Sequence, residues 1–186
     1  MYTIFRQNER GHTIMKSDYR IRAQKFLATI FPYICDVLTD TWLVEKVIED
    51  YNYTHSRHIQ VRSGSARCAL ITSDYVIKWD YDAENVEEIG GCEIEYEVYQ
   101  RAREMGMEYL LAECTLIEYR GVIFEIMPRV NGIGRECHKK NISDMLTEQE
   151  SCWLYDFGLM RDMHNWNWGI KYNKPVIIDY AYLEEN

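Results

Sequence analysis

The sequence predicts an α+β fold, and three observations predict it. Apolar residues recur at intervals near three and four over residues 17–51, short apolar runs separated by turn residues follow over 58–79, and two further runs at 114–119 and 122–127 flank a tight Arg120-Gly121 turn. The first spacing is that of a helix, the second that of strands and the third that of a hairpin.

The elements follow in order. In the first segment Ile21, Phe26, Leu27, Ile30, Phe31, Ile34 and Leu38, then Trp42, Leu43, Val47 and Ile48, set the helical spacing, and Pro32 is expected to divide it into two helices. Residues 59–61, 68–71 and 75–79 are the expected strands of a meander, with turns at Ser63-Gly64-Ser65 and Thr72-Ser73-Asp74. Residues 82–106 return to helix, with Ile94, Val98, Tyr99, Ala102 and Met105 on one side. The hairpin comes next. Past Pro128, Gly132 and Gly134, the capping-box pattern Thr147-Glu-Gln-Glu150 marks a helix start leading into Trp153, Leu154 and Phe157. Two last strands, 169–172 and 176–179, turn at Asn173-Lys174-Pro175.

Composition bounds the function. With 186 residues, 47% of them hydrophobic, the chain can bury a sizeable core. A net charge of -9 argues against general nucleic-acid binding, which needs a surplus of Lys and Arg to replace phosphate counterions. The charge is uneven: Arg6, Arg10, Lys16, Arg20, Arg22 and Lys25 outnumber Glu9 and Asp18, whereas residues 80–97 are acidic. Six cysteines, at 35, 68, 92, 114, 137 and 152, form no CxxC pair and no zinc-like cluster, and most are read as small core residues. Without a signal peptide or a membrane-length apolar run, the expectation is a reduced, cytoplasmic protein that does not engage a membrane.

The most informative stretch runs from Asp162 to Asp179. An aspartate, the carboxamide Asn167 five residues later, and a second aspartate after the apolar run Val176-Ile-Ile178 are the parts that phosphoryl transfer from ATP requires. One carboxylate must sit near the nucleophile, and oxygen ligands must hold Mg²⁺ against the phosphates. Asp156-Phe157-Gly158 spells a familiar metal-binding tripeptide, but it precedes Asp162 inside an expected helix and is read as coincidence.

Five strands interrupted by one helix, then a helix leading into Asp-x-x-x-x-Asn, is the order of the protein-kinase-like fold. Over residues 58–182 the chain resembles that superfamily, in style the small serine/threonine protein kinases of bacteriophages. The resemblance implies a minimal protein-kinase-like bilobal fold: a five-stranded antiparallel N-lobe sheet with one helix (58–130), a truncated helical C-lobe (131–186), and an N-terminal helical extension (1–57). It implies ATP and Mg²⁺ as cofactors. Lys78, in Tyr75-Val-Ile-Lys78, matches the lysine that holds the α and β phosphates; taken alone, it also reads as an edge-strand solubiliser. Glu95 is its expected partner, preferred over Glu93 and Glu97 because Val98 and Tyr99 follow at three and four residues and turn it toward the sheet. Arg62-Ser-Gly-Ser-Ala-Arg67 stands where a phosphate-covering loop belongs, although Gly64 is its one glycine; Ser65 and Arg67 are the phosphate contacts its position suggests, and an ordinary hairpin turn is the other reading. Val76 would pack on adenine and Met127 would line the base pocket, while both also suit plain core. Arg161-Asp162-Met-His164-Asn-Trp-Asn167 resembles the catalytic loop, with Asp162 accepting the acceptor hydroxyl's proton and Asn167 giving a metal oxygen. Asp179 is the matching Mg²⁺ ligand, with Tyr180-Ala181 in place of the usual Phe-Gly.

Seven residues follow Asp179, so a regulatory activation segment is not expected and the nucleotide site should be constitutively competent. The acceptor must then be held by something else: the helical segment 17–51 is expected to replace the missing mass, by packing against the lobes or by forming a partner surface, and self-association is a second route. The leading expectation is a protein kinase modifying serine or threonine of host proteins. A small-molecule phosphotransferase is the second reading, favoured by the Asp-x-His-x-x-Asn form. A kinase-fold protein that binds and inhibits a host partner is the third.

Overall fold

Residues 19–64, 66–81, 90–132, 142–159, 167–172 and 174–180 are described in the computed structural model. Helix α1 (Tyr19–Ile34) buries Ala23, Leu27, Ile30, Phe31 and Ile34 along one face, and α2 (Thr41–His55) buries Val44, Ile48 and Tyr51. Pro32 does not divide them. It lies inside the last turn of α1, and the break falls after Ile34, where the Val37 N–H bonds to the Ile34 carbonyl. The lost proline N–H removes one hydrogen bond near a helix end that is already stopping, and buried Phe31 and Ile34 hold that turn in place. Asp40 restarts the chain by capping α2, its carboxylate accepting from the Leu43 N–H at 3.1 Å.

Strands β1 (Gln60–Ser63), β2 (Arg67–Ile71), β3 (Tyr75–Asp80), β4 (Thr115–Tyr119) and β5 (Val122–Pro128) form an antiparallel sheet in the order β1-β2-β3-β5-β4. The β4–β5 turn has Arg120 and Gly121 at φ 52 and 81°, the left-handed pair that a two-residue hairpin needs to match strand twist. Helix α3 (Gly91–Glu104) lies between β3 and β4 in sequence. Its expected start at residue 82 lies outside the described residues as far as 89.

Both faces of the sheet are covered, and period-two alternation sorts β3 between them. Tyr75, Ile77 and Trp79 join Cys68, Leu70, Phe124 and Ile126 beneath α1 and α2, and the Trp79 indole N–H donates to the Leu38 carbonyl at 3.0 Å. Val76 turns the other way, toward Val98, Tyr99, Ala102 and Met127. The two N-terminal helices are therefore a lid on the outer face of the sheet.

A second, three-stranded sheet pairs β6 (Asn131–Gly132), β7 (Trp168–Lys171) and β8 (Lys174–Ile177). The two-residue β6 is too short to carry a periodicity and was not expected. Helix α4 (Glu148–Asp156) starts with the complete Thr147/Glu150 capping box. Asp156-Phe157-Gly158 is the end of this helix and not part of its interior: Gly158 has φ 72° and its N–H bonds the Tyr155 carbonyl. The Leu111–Ile177 bridge and the Ala112 N–H bond to the Ile177 carbonyl at 2.7 Å tie β8 to the segment before β4. Trp168 and Trp153 are buried packing residues. Cys68, Cys92 and Cys114 are buried free thiols, and among the described residues no helix is long and apolar enough to cross a membrane.

Candidate active site

Lys78 emerges from β3 on the α3 face and is 7% exposed. A buried ammonium must be paired, and it is: Nζ donates to Glu95 Oε2 at 2.7 Å and to the Ile178 carbonyl at 3.0 Å. Glu95, 0% exposed, comes from the second turn of α3. Its other oxygen accepts from the Tyr180 N–H at 2.8 Å. One carboxylate thus joins β3, α3 and the chain just past β8.

Arg67 approaches from β2. One nitrogen of its guanidinium bonds the Asp179 carboxylate; the other is 2.9 Å from Glu95 Oε1 and 3.9 Å from Glu125 Oε2. Its path needs Gly91, where an added Cβ would come within 2.9 Å of Arg67 Cδ. Asp80, at the end of β3, caps the start of α3 by accepting from the Gly91 and Cys92 N–H groups at 3.0 and 3.2 Å. At Gly90 a Cβ would meet the Asp80 carboxylate at 2.7 Å, so this glycine pair lets β2, β3 and α3 close up.

The electrostatics are those of three carboxylates, Glu95, Glu125 and Asp179, around two cations, Lys78 and Arg67. Burial pushes the Glu95 carboxyl up, but the Lys78 ammonium and Arg67 guanidinium outweigh it and hold its pKa below the ordinary range. Glu125 stands opposite Lys78 in the β3–β5 register and is also 0% exposed. Neither of its oxygens has a well-aligned hydrogen-bond partner among the described residues. Burial and the neighbouring Glu95 charge raise its pKa well above normal, the opposite direction to Glu95. Partial burial also raises Asp179, whose side chain keeps 44% exposure.

Glu125 offers a test of this assignment. Its pKa is higher folded than unfolded, so the folded chain retains a proton that the unfolded chain releases. The stability it supports is full below about 4.5, the ordinary value, and falls as pH rises toward the raised folded value. Glu125→Gln removes that decline. The variant should gain stability relative to the parent as pH rises from about 4.5 toward 8, read as a widening difference in Tm in thermal melts.

The other expected site residues occupy several places. Val76 and Met127 face each other in register and belong to one apolar cluster with Trp168 and Val176. Gly64 closes the β1–β2 hairpin, its N–H bonded to the Arg67 carbonyl at 2.9 Å and its carbonyl accepting from the Tyr81 hydroxyl. A Cβ there would meet one atom at 3.9 Å, so no crowding demands glycine. Asn167, 5% exposed, accepts the Ile178 N–H on its backbone carbonyl at 2.7 Å, which brings it beside the Ile178-Asp179 step. Ser65 and Asp162 lie outside the described residues. Tyr180 is buried, with its hydroxyl donating to the Ala112 carbonyl at 2.6 Å.

Sequence reasoning missed Glu125, Asp80 and the Gly90-Gly91 pair. The available signal for Glu125 was a lone carboxylate inside the apolar run of β5. Among the described residues no group of three or more His, Cys, Asp or Glu side chains is arranged to hold a metal. Asp179 keeps a partly exposed carboxylate, a hard-oxygen group of the kind Mg²⁺ accepts when phosphates and water complete its shell.

No protein-family model matches the chain, and no curated protein matches it. Among solved structures, a co-crystal structure of WbdD with the kinase inhibitor LY294002 is similar at 17% sequence identity and a TM-score of 0.30, covering 67% of this chain and 32% of that one. The chain spans less than a third of that protein's length, and a likeness at this level carries no functional argument.

Proposed function

We propose that the chain is an ATP-dependent phosphotransferase, in particular a small serine/threonine protein kinase of the bacteriophage type that modifies host proteins in the cytoplasm. In this reading the five-stranded sheet with α3 forms one lobe and residues 131–186 a reduced second lobe. The observation that carries it is the convergence on Glu95: Lys78 from β3 and the Tyr180 N–H beside Asp179 both bond one buried carboxylate of α3. A buried lysine held by a carboxylate, next to a more exposed carboxylate, is an arrangement suited to gripping a polyphosphate and its metal.

Each residue then has a task. Lys78 binds the α and β phosphates, with Glu95 orienting its ammonium. Gly64, Ser65 and Arg67 take the phosphates, and Val76 and Met127 bound the base. Asn167 and Asp179 hold Mg²⁺, which when bound supplies charge neutralisation at the β and γ phosphates. Asp162 orients the acceptor hydroxyl and takes its proton.

The test is label transfer into a bacterial lysate from γ-labelled and α-labelled ATP in parallel, with Mg²⁺ and with Asp162→Asn as control. Label from the γ position alone, lost in the variant, is the expected result. Label from the α position identifies AMP transfer instead. No label on protein, despite Mg²⁺-dependent ATP binding, sinks the protein-kinase reading and leaves a small-molecule acceptor or a binding protein.

A further inference from the structure

We infer that Arg67 is an internal cation that occupies Asp179 and is displaced only when divalent metal and polyphosphate arrive together, so that the two ligands are coupled through this side chain. The inference rests on the proposed nucleotide site and adds to it a linkage carried by one residue.

The geometry points to Asp179 as the contact that breaks. Arg67 touches three carboxylates, of which Glu95 and Glu125 are sealed at 0% exposure while the Asp179 side chain is 44% exposed. Solvent, and hence a ligand, reaches one end of the guanidinium's grip. The guanidinium's other partners, Glu95 Oε1 at 2.9 Å and Glu125 Oε2 at 3.9 Å, lie in the sealed interior, so the Asp179 contact is the one a ligand can reach and replace.

Charge then dictates the coupling. Arg67 and Lys78 lie among Glu95, Glu125 and Asp179, so the Asp179 carboxylate already has a guanidinium against it. A divalent cation bound to Asp179 with the guanidinium still in place would put two positive centres on one carboxylate, a repulsion that partial burial makes costly. A polyphosphate without metal would have to approach that carboxylate uncompensated. With both present, the guanidinium exchanges Asp179 for phosphate oxygens, which its planar fork matches in bidentate fashion. Each ligand then raises the affinity of the other by the same factor.

The probe is Mn²⁺ alone, titrated by electron paramagnetic resonance into the full chain without nucleotide. Arg67→Gln frees Asp179 and should tighten Mn²⁺ binding about tenfold or more over the parent. The gain should vanish in Arg67→Gln/Asp179→Asn. Arg67→Lys, which keeps a buried positive charge but loses the fork, should show a smaller gain of the same sign and carries the test if the glutamine variant does not fold. Equal Mn²⁺ affinity in parent and variants, or a gain that survives loss of the Asp179 carboxylate, overturns the inference. Binding of a non-hydrolysable ATP analogue with Mg²⁺ is measured on the same samples. If the parent binds it but the Arg67 variants gain nothing for Mn²⁺, the latch is wrong and the nucleotide site stands. If the parent does not bind it, the nucleotide reading fails and the linkage falls with it.

Discussion

A chain lacking residues 1–55 is expected to lose soluble, cooperatively folded protein. Cys68, Leu70, Ile77, Trp79, Phe124 and Ile126 are all 0% exposed, and α1 and α2 are what cover them. Removing the helices uncovers one contiguous apolar face, the kind of patch that soluble proteins rarely leave bare. At about 1.5–3 kcal/mol for each large side chain returned to water, five such residues amount to roughly 10 kcal/mol, comparable with the whole stability of an ordinary domain. The hydrogen bond from the Trp79 indole to Leu38 goes as well. Soluble yield, dye binding to exposed apolar surface and the cooperativity of a thermal melt measure the effect. A truncated chain that stays soluble and melts like the parent would show that the helices are an accessory and not part of the core. Asp40→Ala is the contrast: it removes only the α2 cap and should cost about 1 kcal/mol.

That covering role separates what the sequence could reveal from what it could not. Features decided by neighbouring residues were legible: the Thr147 capping box, the hairpin turn at Arg120-Gly121, and the apolar run of β3. The spacing of Glu95 to Val98 and Tyr99 aims it at the sheet, where it meets Lys78. Pro32 misled because its local penalty is real but small beside the burial of Phe31 and Ile34 on either side of it. The face on which α1 and α2 land is a long-range choice that no helical period encodes. The direction of Arg67 was hidden for a related reason. From sequence it is one basic residue at a strand start, and only the assembled fold brings residues 67, 95, 125 and 179 within reach of one another.

Lys78→Met is expected to abolish phosphoryl transfer far beyond its effect on folding, whereas Glu95→Gln should damage folding more. Glu95 has several partners. Without Lys78 it keeps the Tyr180 N–H and the nearby Arg67, so the lysine variant should cost about 2–3 kcal/mol, mainly the orphaned Ile178 carbonyl and weakened charge balance. Without the Glu95 charge, two buried cations lose their shared anion, and breaking such a group by removing one partner costs about 3–5 kcal/mol. The double variant should be more stable than the sum of the two losses by on the order of 1–3 kcal/mol, because the residues are in direct contact. Activity should follow a different order. On the proposed function, loss of Lys78 removes an electrostatic donor aimed at the developing charge, an effect of about 10²–10³ in rate, and the double variant that regains stability should regain none of it. Denaturant melts and label transfer on the same four proteins decide between the roles. If transfer tracks the folded fraction across the set, the Lys78–Glu95 pair is a structural clasp between β3 and α3. If Lys78→Met is folded and inactive, the pair holds a phosphate.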